Sequence, residues 1–210
     1  GNTGVQMAGW FNREINSMAD IQGLKMRIPG LGGEVFTRAG GMSVQRSGGE
    51  IYTSMQTGEI DAAEWVGPYN DLAFGFHQIA KYYYFPGWQE PGPTLELIIN
   101  KQALESLPED LQAIVESAAR AANQNMLDEY TARNNAALIE LVETHGVQVK
   151  KVPDDVLAEL QRISIIVVDE MAAENPLAKR ITDSMRAFAK QSKAYHGISE
   201  EAYYKARGQE

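Results

Sequence analysis

The sequence predicts an α/β fold with a mostly parallel sheet, followed by a long helical part. In the first hundred of its 210 residues, short apolar or alternating runs alternate with helical patterns. That alternation is typical of right-handed βαβ units. After Asn100 the pattern is mainly helical, and one uninterrupted helical pattern runs from Glu109 to His145. It is much longer than the usual helix of about 11–12 residues.

The elements before Asn100 follow from local patterns. Trp10, Phe11 and Ile15 are apolar at a helical spacing, so residues 10–15 are predicted to begin a helix. Ser17 to Asp20 is a capping signal for one more helical turn. The other predicted elements are a strand over 24–29, helices over 34–39, 48–57 and 71–80, and strands over 42–44, 61–66, 81–85 and 94–100.

The second half begins with a helix whose first turn carries Pro108 and acids. That helical pattern stops at Gly146. The remaining predicted elements are a strand over 147–152 and helices over 154–173, 176–193 and 199–206. The run from Ile163 to Val168 is more apolar than one amphipathic face requires, so it is expected in a core or in a subunit contact.

Composition excludes several classes of protein. A net charge of -9 without a basic patch argues against nucleic-acid binding. The absence of cysteine excludes disulfides, thiolate catalysis and cysteine-based zinc sites. No apolar run has the length of a transmembrane helix. The chain opens without a methionine or a signal peptide, so we expect the numbering to begin inside a longer protein.

The first candidate site residue is Glu64, which stands beside Trp65 at the end of an apolar run and before Gly67-Pro68. Open α/β sheets bind their ligands at the carboxyl ends of strands. Glutamate is seldom buried without a partner. Glu64 is therefore expected either to meet a cation, a metal or a cluster of donors, or to lie at an exposed strand end.

Two further positions could handle charge. Arg27 alternates outward on its strand, where its guanidinium either captures a carboxylate or faces solvent. Gln89 and Glu90 lie between Pro and Gly residues, and their side-chain oxygens resemble ligands of a hard cation such as Na⁺ or Ca²⁺.

The sequence contains only weak signs of an enzyme. The histidines are scattered and no hydrolase motif occurs, so a Glu64/Glu90 acid pair is the only catalytic arrangement to consider.

Several segments together resemble one known family. They are residues 1–6 (GNTGVQ), 24–33 (LKMRIPGLGG), 48–52 (GGEIY), 58–65 (GEIDAAEW) and 82–92 (YYYFPGWQEPG). These segments are similar to the DctP-type extracytoplasmic solute receptors of tripartite ATP-independent periplasmic (TRAP) transporters. The pieces around Trp65 and Trp88 most resemble the branch that binds 2-oxo acids such as pyruvate and related monocarboxylates such as lactate.

The resemblance implies a two-lobed periplasmic binding protein, not an enzyme, that closes on its ligand and delivers it to a membrane permease. Residues 1–24 would end the first lobe and cross over, and residues 25–95 would form the second lobe with most of the ligand site. Residues 96–210 would hold a return strand, a lobe-spanning helix and C-terminal helices. Much of the first lobe would be missing. A homodimer through the C-terminal helices is also implied.

The resemblance also assigns site residues. Arg27 would pair with the substrate carboxylate, while Gln6, Glu64 and the carbonyl of Trp65 would hold Na⁺ or Ca²⁺. Gln6 and Trp65 would contact the substrate as well. Glu90 would complete the metal site, with Gln89 as the alternative. The rivals are a receptor for a different organic acid without metal, and a carboxylate-handling enzyme that uses Glu64 and Glu90.

Overall fold

The computed structural model describes residues 1–208 and contains a six-stranded mixed sheet. The strands lie in the order β3-β2-β4-β1-β5-β6. Strand β1 is antiparallel to its neighbours β4 and β5, whereas the other paired strands are parallel. Their bounds are β1 Gly9–Phe11, β2 Lys25–Arg27, β3 Met42–Val44, β4 Ala62–Ala63, β5 Tyr82–Phe85 and β6 Gln148–Lys151.

The helices alternate with the strands in the first half of the chain, as predicted, and make up most of the second half. Two short 3₁₀ turns, Met18–Ile21 and Phe76–Gln78, supplement them. The chain divides into two compact units, Gly1–Gln161 and a second unit that begins at Arg162. The α-helices are α1 Gly30–Arg38, α2 Gly48–Gln56, α3 Pro68–Phe74, α4 Lys101–Glu105, α5 Glu109–Glu143, α6 Asp154–Glu174, α7 Pro176–Ile198 and α8 Glu200–Arg207.

The helix predicted over residues 10–15 is wrong, because Gly9–Phe11 form strand β1. The backbone of Trp10 pairs with Ala63 on one side and with Tyr83 on the other. The Trp10 ring also stacks on the Tyr83 ring, with 4.1 Å between centroids. These partners are distant in sequence, so a local apolar spacing could not reveal them. The antiparallel β1 is also the one departure from the predicted parallel sheet.

The strand predicted over residues 94–100 is also wrong. Leu95 exchanges two backbone hydrogen bonds with Gly1, at 2.8 and 2.9 Å, but no ladder continues from there within residues 1–208. Ile98 is 85% exposed. An apolar run becomes a strand only where a neighbour supplies hydrogen-bond partners. The segment leads into the unpredicted helix α4, which Asn100 caps through the Ala103 amide.

Two predicted elements are shorter than expected. The strand over residues 61–66 is reduced to β4, and the helix over 71–80 breaks at Gly75. Gly75 has φ +76°, a left-handed conformation that ends α3 and that glycine adopts without strain. The other elements match the predicted order, including α5 and the capping box of Ser17.

The core lies on both faces of the sheet. Leu24, Met26 and Ile28 alternate inward as predicted and are essentially inaccessible to solvent. A second cluster joins the sheet to helix α2 and to the carboxyl end of α5, whose Leu141 is fully buried. Its members include Trp10, Ile51, Met55, Ile60, Phe76, Tyr83, Leu141 and Val147. Among the described residues, no helix combines the length and apolar character needed to cross a bilayer.

Candidate functional site

The topology brings the predicted site residues to one edge of the sheet. Arg27 is the last residue of β2, and Glu64 and Trp65 follow β4. Glu90 follows β5, and Gln6 precedes β1. Because β1 runs antiparallel between β4 and β5, its beginning lies beside their carboxyl ends. This is the edge at which α/β sheets bind ligands.

The segment around Gln6 is held between the ends of β4 and β5. The amide of Met7 donates to the Val66 carbonyl at 3.2 Å, and the amide of Gly87 donates to the Gln6 carbonyl at 3.1 Å. Gly9 permits this close approach, because it has φ +127° and a Cβ there would lie 2.6 Å from the Ala63 carbonyl oxygen. The backbone thus fixes the position of Gln6 relative to both neighbouring strand ends.

Arg27 forms an ion pair with Glu64. Its Nη1 donates to the carboxylate Oε1 and, at 3.3 Å, to the backbone carbonyl of the same residue. Nε donates to the carbonyl of Arg46 at 3.2 Å. The guanidinium carbon lies 5.3 Å from the centroid of the Trp65 ring. The guanidinium is therefore not the solvent-facing group that the strand pattern left open, since backbone, carboxylate and indole all hold it in place.

Glu64 is 3% exposed and is electrostatically strained. Burial raises its pKa to about 7, Arg27 acts in the opposite direction, and the carboxylates of Glu90 and Asp71 raise the pKa further. The edge therefore concentrates negative charge that Arg27 only partly neutralises. A bound cation would offset this excess.

Unpaired oxygens supply a second reason to expect a cation. Gln6 is 5% exposed, and its Oε1 has no hydrogen-bond partner. Gln89 donates from Nε2 to the Met7 carbonyl at 3.0 Å, yet its own buried Oε1 is unpaired. A buried acceptor left without a donor costs about 1–3 kcal/mol. Both oxygens need a partner, and amide oxygens are ligands that Na⁺ and Ca²⁺ accept.

The carbonyl of Trp65 is available in the same way. The carbonyls on either side are engaged, that of Glu64 by Arg27 and that of Val66 by Met7. No hydrogen-bond donor reaches the Trp65 carbonyl in the described part of the chain. Gln6, Glu64, Gln89 and Glu90 also carry oxygen donors, and oxygen is the donor type that a hard cation accepts.

The fit depends on neutral oxygens as much as on carboxylates. Within residues 1–208, no group of three or more His, Cys, Asp or Glu side chains is arranged to hold a metal ion. A cation at this edge would therefore rely on the amide and backbone oxygens beside Glu64. Sodium and calcium bind such mixed oxygen sets, whereas zinc in structural sites takes mainly nitrogen and sulfur ligands.

Sequence reasoning missed Asp71 as a member of this region. Its carboxylate is buried and accepts hydrogen bonds from Trp10, Tyr83 and the backbone after Trp65. Burial raises its pKa to about 6, and the hydrogen bonds oppose that rise. The sequence offers one signal only, an acid in the first turn of a helix, and that signal is usually a solvated cap.

Two histidines that look scattered in the sequence also meet. The rings of His77 and His145 lie 4.1 Å apart between centroids, and burial and the neighbouring ring lower the pKa of His77. They precede β5 and β6, so they lie at the opposite edge of the sheet from Arg27 and Glu64. They therefore take no part in the candidate site.

The sequence matches one known family over most of its length. Residues 1–175 match the family described as bacterial extracellular solute-binding protein, family 7, or DctP. A curated relative is the monocarboxylate 2-oxoacid-binding periplasmic protein of Nostoc sp.. It is 43% identical over 203 residues, which are 97% of this chain and 56% of that protein.

Two solved structures share both fold and sequence. One is a TRAP periplasmic solute-binding protein of Colwellia psychrerythraea with bound calcium and pyruvate, at 40% identity and a TM-score of 0.94, covering 98% of this chain and 63% of that one. The other, from Pseudoalteromonas atlantica with bound sodium and pyruvate, has 39% identity and a TM-score of 0.93, covering 98% and 62%. This chain thus spans less than two thirds of each relative's length.

Proposed function

This chain belongs to the DctP family of bacterial extracellular solute-binding proteins, and on that premise we propose that the protein is the periplasmic solute receptor of a TRAP transporter. It captures a small carboxylate, either a 2-oxo acid such as pyruvate or a hydroxy acid such as lactate, and passes it unchanged to the membrane permease. The relatives bind pyruvate with calcium or with sodium, which supports this ligand class.

The observation that carries the proposal is the largely buried ion pair between Arg27 and Glu64, and the unpaired buried oxygen of Gln6 supports it. The guanidinium presents a planar fork that matches a carboxylate, and the Trp65 ring and the Arg46 carbonyl hold it in place. When the substrate carboxylate takes the place of Glu64 on Arg27, Glu64 is released toward a cation. Capture of the anion and of the cation therefore favour each other.

The proposed cation ligands are Gln6, Glu64, the Trp65 carbonyl and Glu90, with Gln89 as the alternative to Glu90. When bound, Na⁺ or Ca²⁺ supplies positive charge to the substrate's carboxylate and to its 2-oxo or 2-hydroxyl oxygen. The residues themselves bind and orient: Arg27 fixes the carboxylate and the Trp65 ring forms a wall. Gln6 and Trp65 are proposed to contact the substrate as well.

The chain carries apolar surfaces that support the domain arrangement implied by the family. Leu97 and Ile98 are exposed in a segment that pairs with the rest of the described chain only near Leu95. We assign this segment, which forms no ladder within residues 1–208, to the connection that returns from the second lobe to the first. Residues 1–24 then end the first lobe, and residues 25–95 form the second. Helix α5 spans both, and ligand capture proceeds by closure of the lobes.

Helix α7, in the second unit, carries a stripe of exposed large apolar residues at spacings of three, four and seven. Its members are Leu177, Ile181, Met185, Phe188, Tyr195 and Ile198. Such a stripe suits a homodimer contact through the C-terminal helices.

Size-exclusion chromatography with light scattering on the full-length protein tests this contact. Phe188→Glu should yield monomer, whereas Lys190→Glu on the opposite face should leave a dimer; a Phe188→Glu dimer would remove the proposed contact.

One observation favours a second function. A buried carboxyl with a pKa near neutrality, as in Glu64, is also what a general acid needs. The full-length protein should therefore be incubated with pyruvate, lactate and branched 2-oxo acids and followed by NMR. The receptor proposal expects every acid to stay intact and the best ligand to bind tightly. Turnover of any of them, lost in Glu64→Gln and Glu90→Gln, would instead make the protein an enzyme.

A further inference from the structure

Asp71 is a buried carboxylate that belongs to none of the ligand positions. It is 1% exposed, and within residues 1–208 its partners are hydrogen-bond donors, with no ion pair among them. Burying a charge without a counter-ion is costly unless hydrogen bonds compensate. Four donors do so: the indole of Trp10, the hydroxyl of Tyr83, and the amides of Val66 and Gly67.

One oxygen of Asp71 fixes the chain just after Glu64 and Trp65. Oδ1 accepts from the amides of Val66 and Gly67, each at 3.1 Å. The amide of Val66 and the carbonyl of Trp65 belong to the same planar peptide unit, in which N–H and C=O point in opposite directions. The hydrogen bond therefore turns the Trp65 carbonyl oxygen away from Asp71 and fixes its direction.

The other oxygen ties that loop to two strands. Oδ2 accepts from Trp10 Nε1 at 2.9 Å and from the Tyr83 hydroxyl at 2.7 Å. Trp10 lies on β1, which follows Gln6, and Tyr83 lies on β5, which leads to Gln89 and Glu90. Asp71 thus connects the three neighbouring segments that carry the proposed cation ligands.

We propose that Asp71 is a positioning residue for the cation site: it aims the Trp65 carbonyl and sets the distances between the ends of β1, β4 and β5. This inference rests on the proposed receptor function. The charge of Asp71 also acts at the site, because its field reaches the Glu64 carboxylate. A neutral Asn has a single acceptor oxygen, so it can accept from the two backbone amides or from Trp10 and Tyr83, but not from both pairs, and one half of the connection is lost.

The test uses the full-length protein and Tb³⁺ as a luminescent stand-in for Ca²⁺, sensitised by the neighbouring indole of Trp65. Competition with Ca²⁺ then yields the Ca²⁺ dissociation constant. Asp71→Asn should weaken Ca²⁺ binding about 10–100-fold, as loss of a group that orients metal ligands does. Asp20→Asn is the matched control: Asp20 also accepts from two backbone amides, those of Asn16 and Ser17, but it precedes β2 and lies away from the candidate site, so the Ca²⁺ affinity of this variant should stay at the wild-type value.

The outcomes separate the two proposals. If wild-type protein binds Ca²⁺ and a folded Asp71→Asn variant binds it equally well, the positioning role is overturned while the receptor function stands. If the wild type binds neither Ca²⁺ nor Na⁺, the cation site itself fails and the positioning role fails with it.

A measurement on the wild type decides the matter if Asp71→Asn does not fold. Hydrogen exchange by NMR reports the amides of Val66 and Gly67 in chelator-treated protein. The proposal expects both amides to be protected before Ca²⁺ is added and unchanged afterwards, because Asp71 has already positioned them. Amides that become protected only on addition of Ca²⁺ would show that the cation orders the loop, and the proposal would be wrong.

Discussion

Arg27 donates through Nη1 to the carboxylate of Glu64, so the two groups assigned to opposite ligand charges neutralise each other within the protein. In the proposed site, a substrate carboxylate would compete with Glu64 for the guanidinium, and a cation would compete with Arg27 for Glu64. Each ligand thereby removes the other's competitor. By thermodynamic reciprocity, the factor by which the cation strengthens anion binding must equal the factor by which the anion strengthens cation binding.

Replacement of Arg27 should strongly weaken carboxylate binding. Arg27→Ala removes the guanidinium that pairs with Glu64, and a lost charge-assisted pair is worth about 1.5–3 kcal/mol or roughly 10–150-fold in affinity. Arg27→Lys should recover part of it, because an ammonium keeps the charge without the fork. Calorimetry with pyruvate measures both. Arg38→Ala, which alters an exposed pair with Glu34, is the control; wild-type affinity in Arg27→Ala would exclude the clamp.

Cation affinity should depend on pH through Glu64. Its pKa is raised to about 7, so protonation competes with the cation below that value, and Ca²⁺ affinity should fall about tenfold per pH unit in the acidic range. The raised pKa also affects stability. The free energy of unfolding should fall as pH rises from 4.5, the pKa of Glu64 in the unfolded chain, to about 7, its pKa in the folded protein. Bound Ca²⁺ offsets that loss.

Thermal melts with and without Ca²⁺ check both effects. The Ca²⁺-induced rise in melting temperature should be larger above pH 7 than below it. Glu64→Gln should show a small rise at every pH, and Glu34→Gln, which alters an exposed carboxylate, should behave as the wild type. A pH-independent rise in the wild type would separate Glu64 from the cation.

Gln6→Met should weaken cation binding and yet stabilise the chelator-treated protein. The substitution removes a buried amide oxygen that has no donor, and an apolar side chain of similar length avoids its cost of about 1–3 kcal/mol. Gln22→Met is the contrasting control, because the Gln22 amide donates to the Ala39 carbonyl at 2.9 Å. That control should lower the melting temperature and leave Ca²⁺ affinity unchanged. A Gln6→Met variant with full Ca²⁺ affinity would remove Gln6 from the ligand set.

Glu90 and Gln89 can be told apart by paired variants. Glu90→Gln removes a carboxylate whose field reaches Glu64, and Gln89→Met removes an unpaired buried oxygen together with the bond to Met7. We expect Glu90→Gln to weaken Ca²⁺ binding more, since carboxylates are the stronger ligands of Ca²⁺. Luminescence titration with Tb³⁺ and Ca²⁺ competition ranks the two. The reverse order would transfer the ligand role to Gln89.

Local patterns predicted most of the fold because most of its elements are locally determined. The alternation of Leu24, Met26 and Ile28 and the capping box of Ser17 each specify a structure within a few residues. Strand β1 is different, because Trp10 becomes a strand residue only through Ala63 and Tyr83, far along the chain. The run over residues 94–100 fails for the converse reason: it has the composition of a strand, but residues 1–208 supply no ladder for it.

The sequence predicts where the charged residues of the candidate site lie, but not which side chains they contact. Arg27 and Glu64 stand at the ends of predicted parallel strands, so topology alone suggests that they meet. The family resemblance adds Gln6, which no local pattern marks. The direct pairing of Arg27 with Glu64 and the fourfold hydrogen bonding of Asp71 depend on residues that converge from β1, β2, β4, β5 and helix α3. No spacing in the sequence encodes that convergence.

Calorimetric titration of the full-length protein with pyruvate tests the central claim most directly. It is run in a buffer with Ca²⁺, in one with Na⁺, and in a chelator-treated buffer with choline as the cation. Cooperation between Arg27 and a bound cation predicts tight binding with at least one of the two ions, and weak or absent binding with choline. Equal pyruvate affinity in all three buffers would contradict the account.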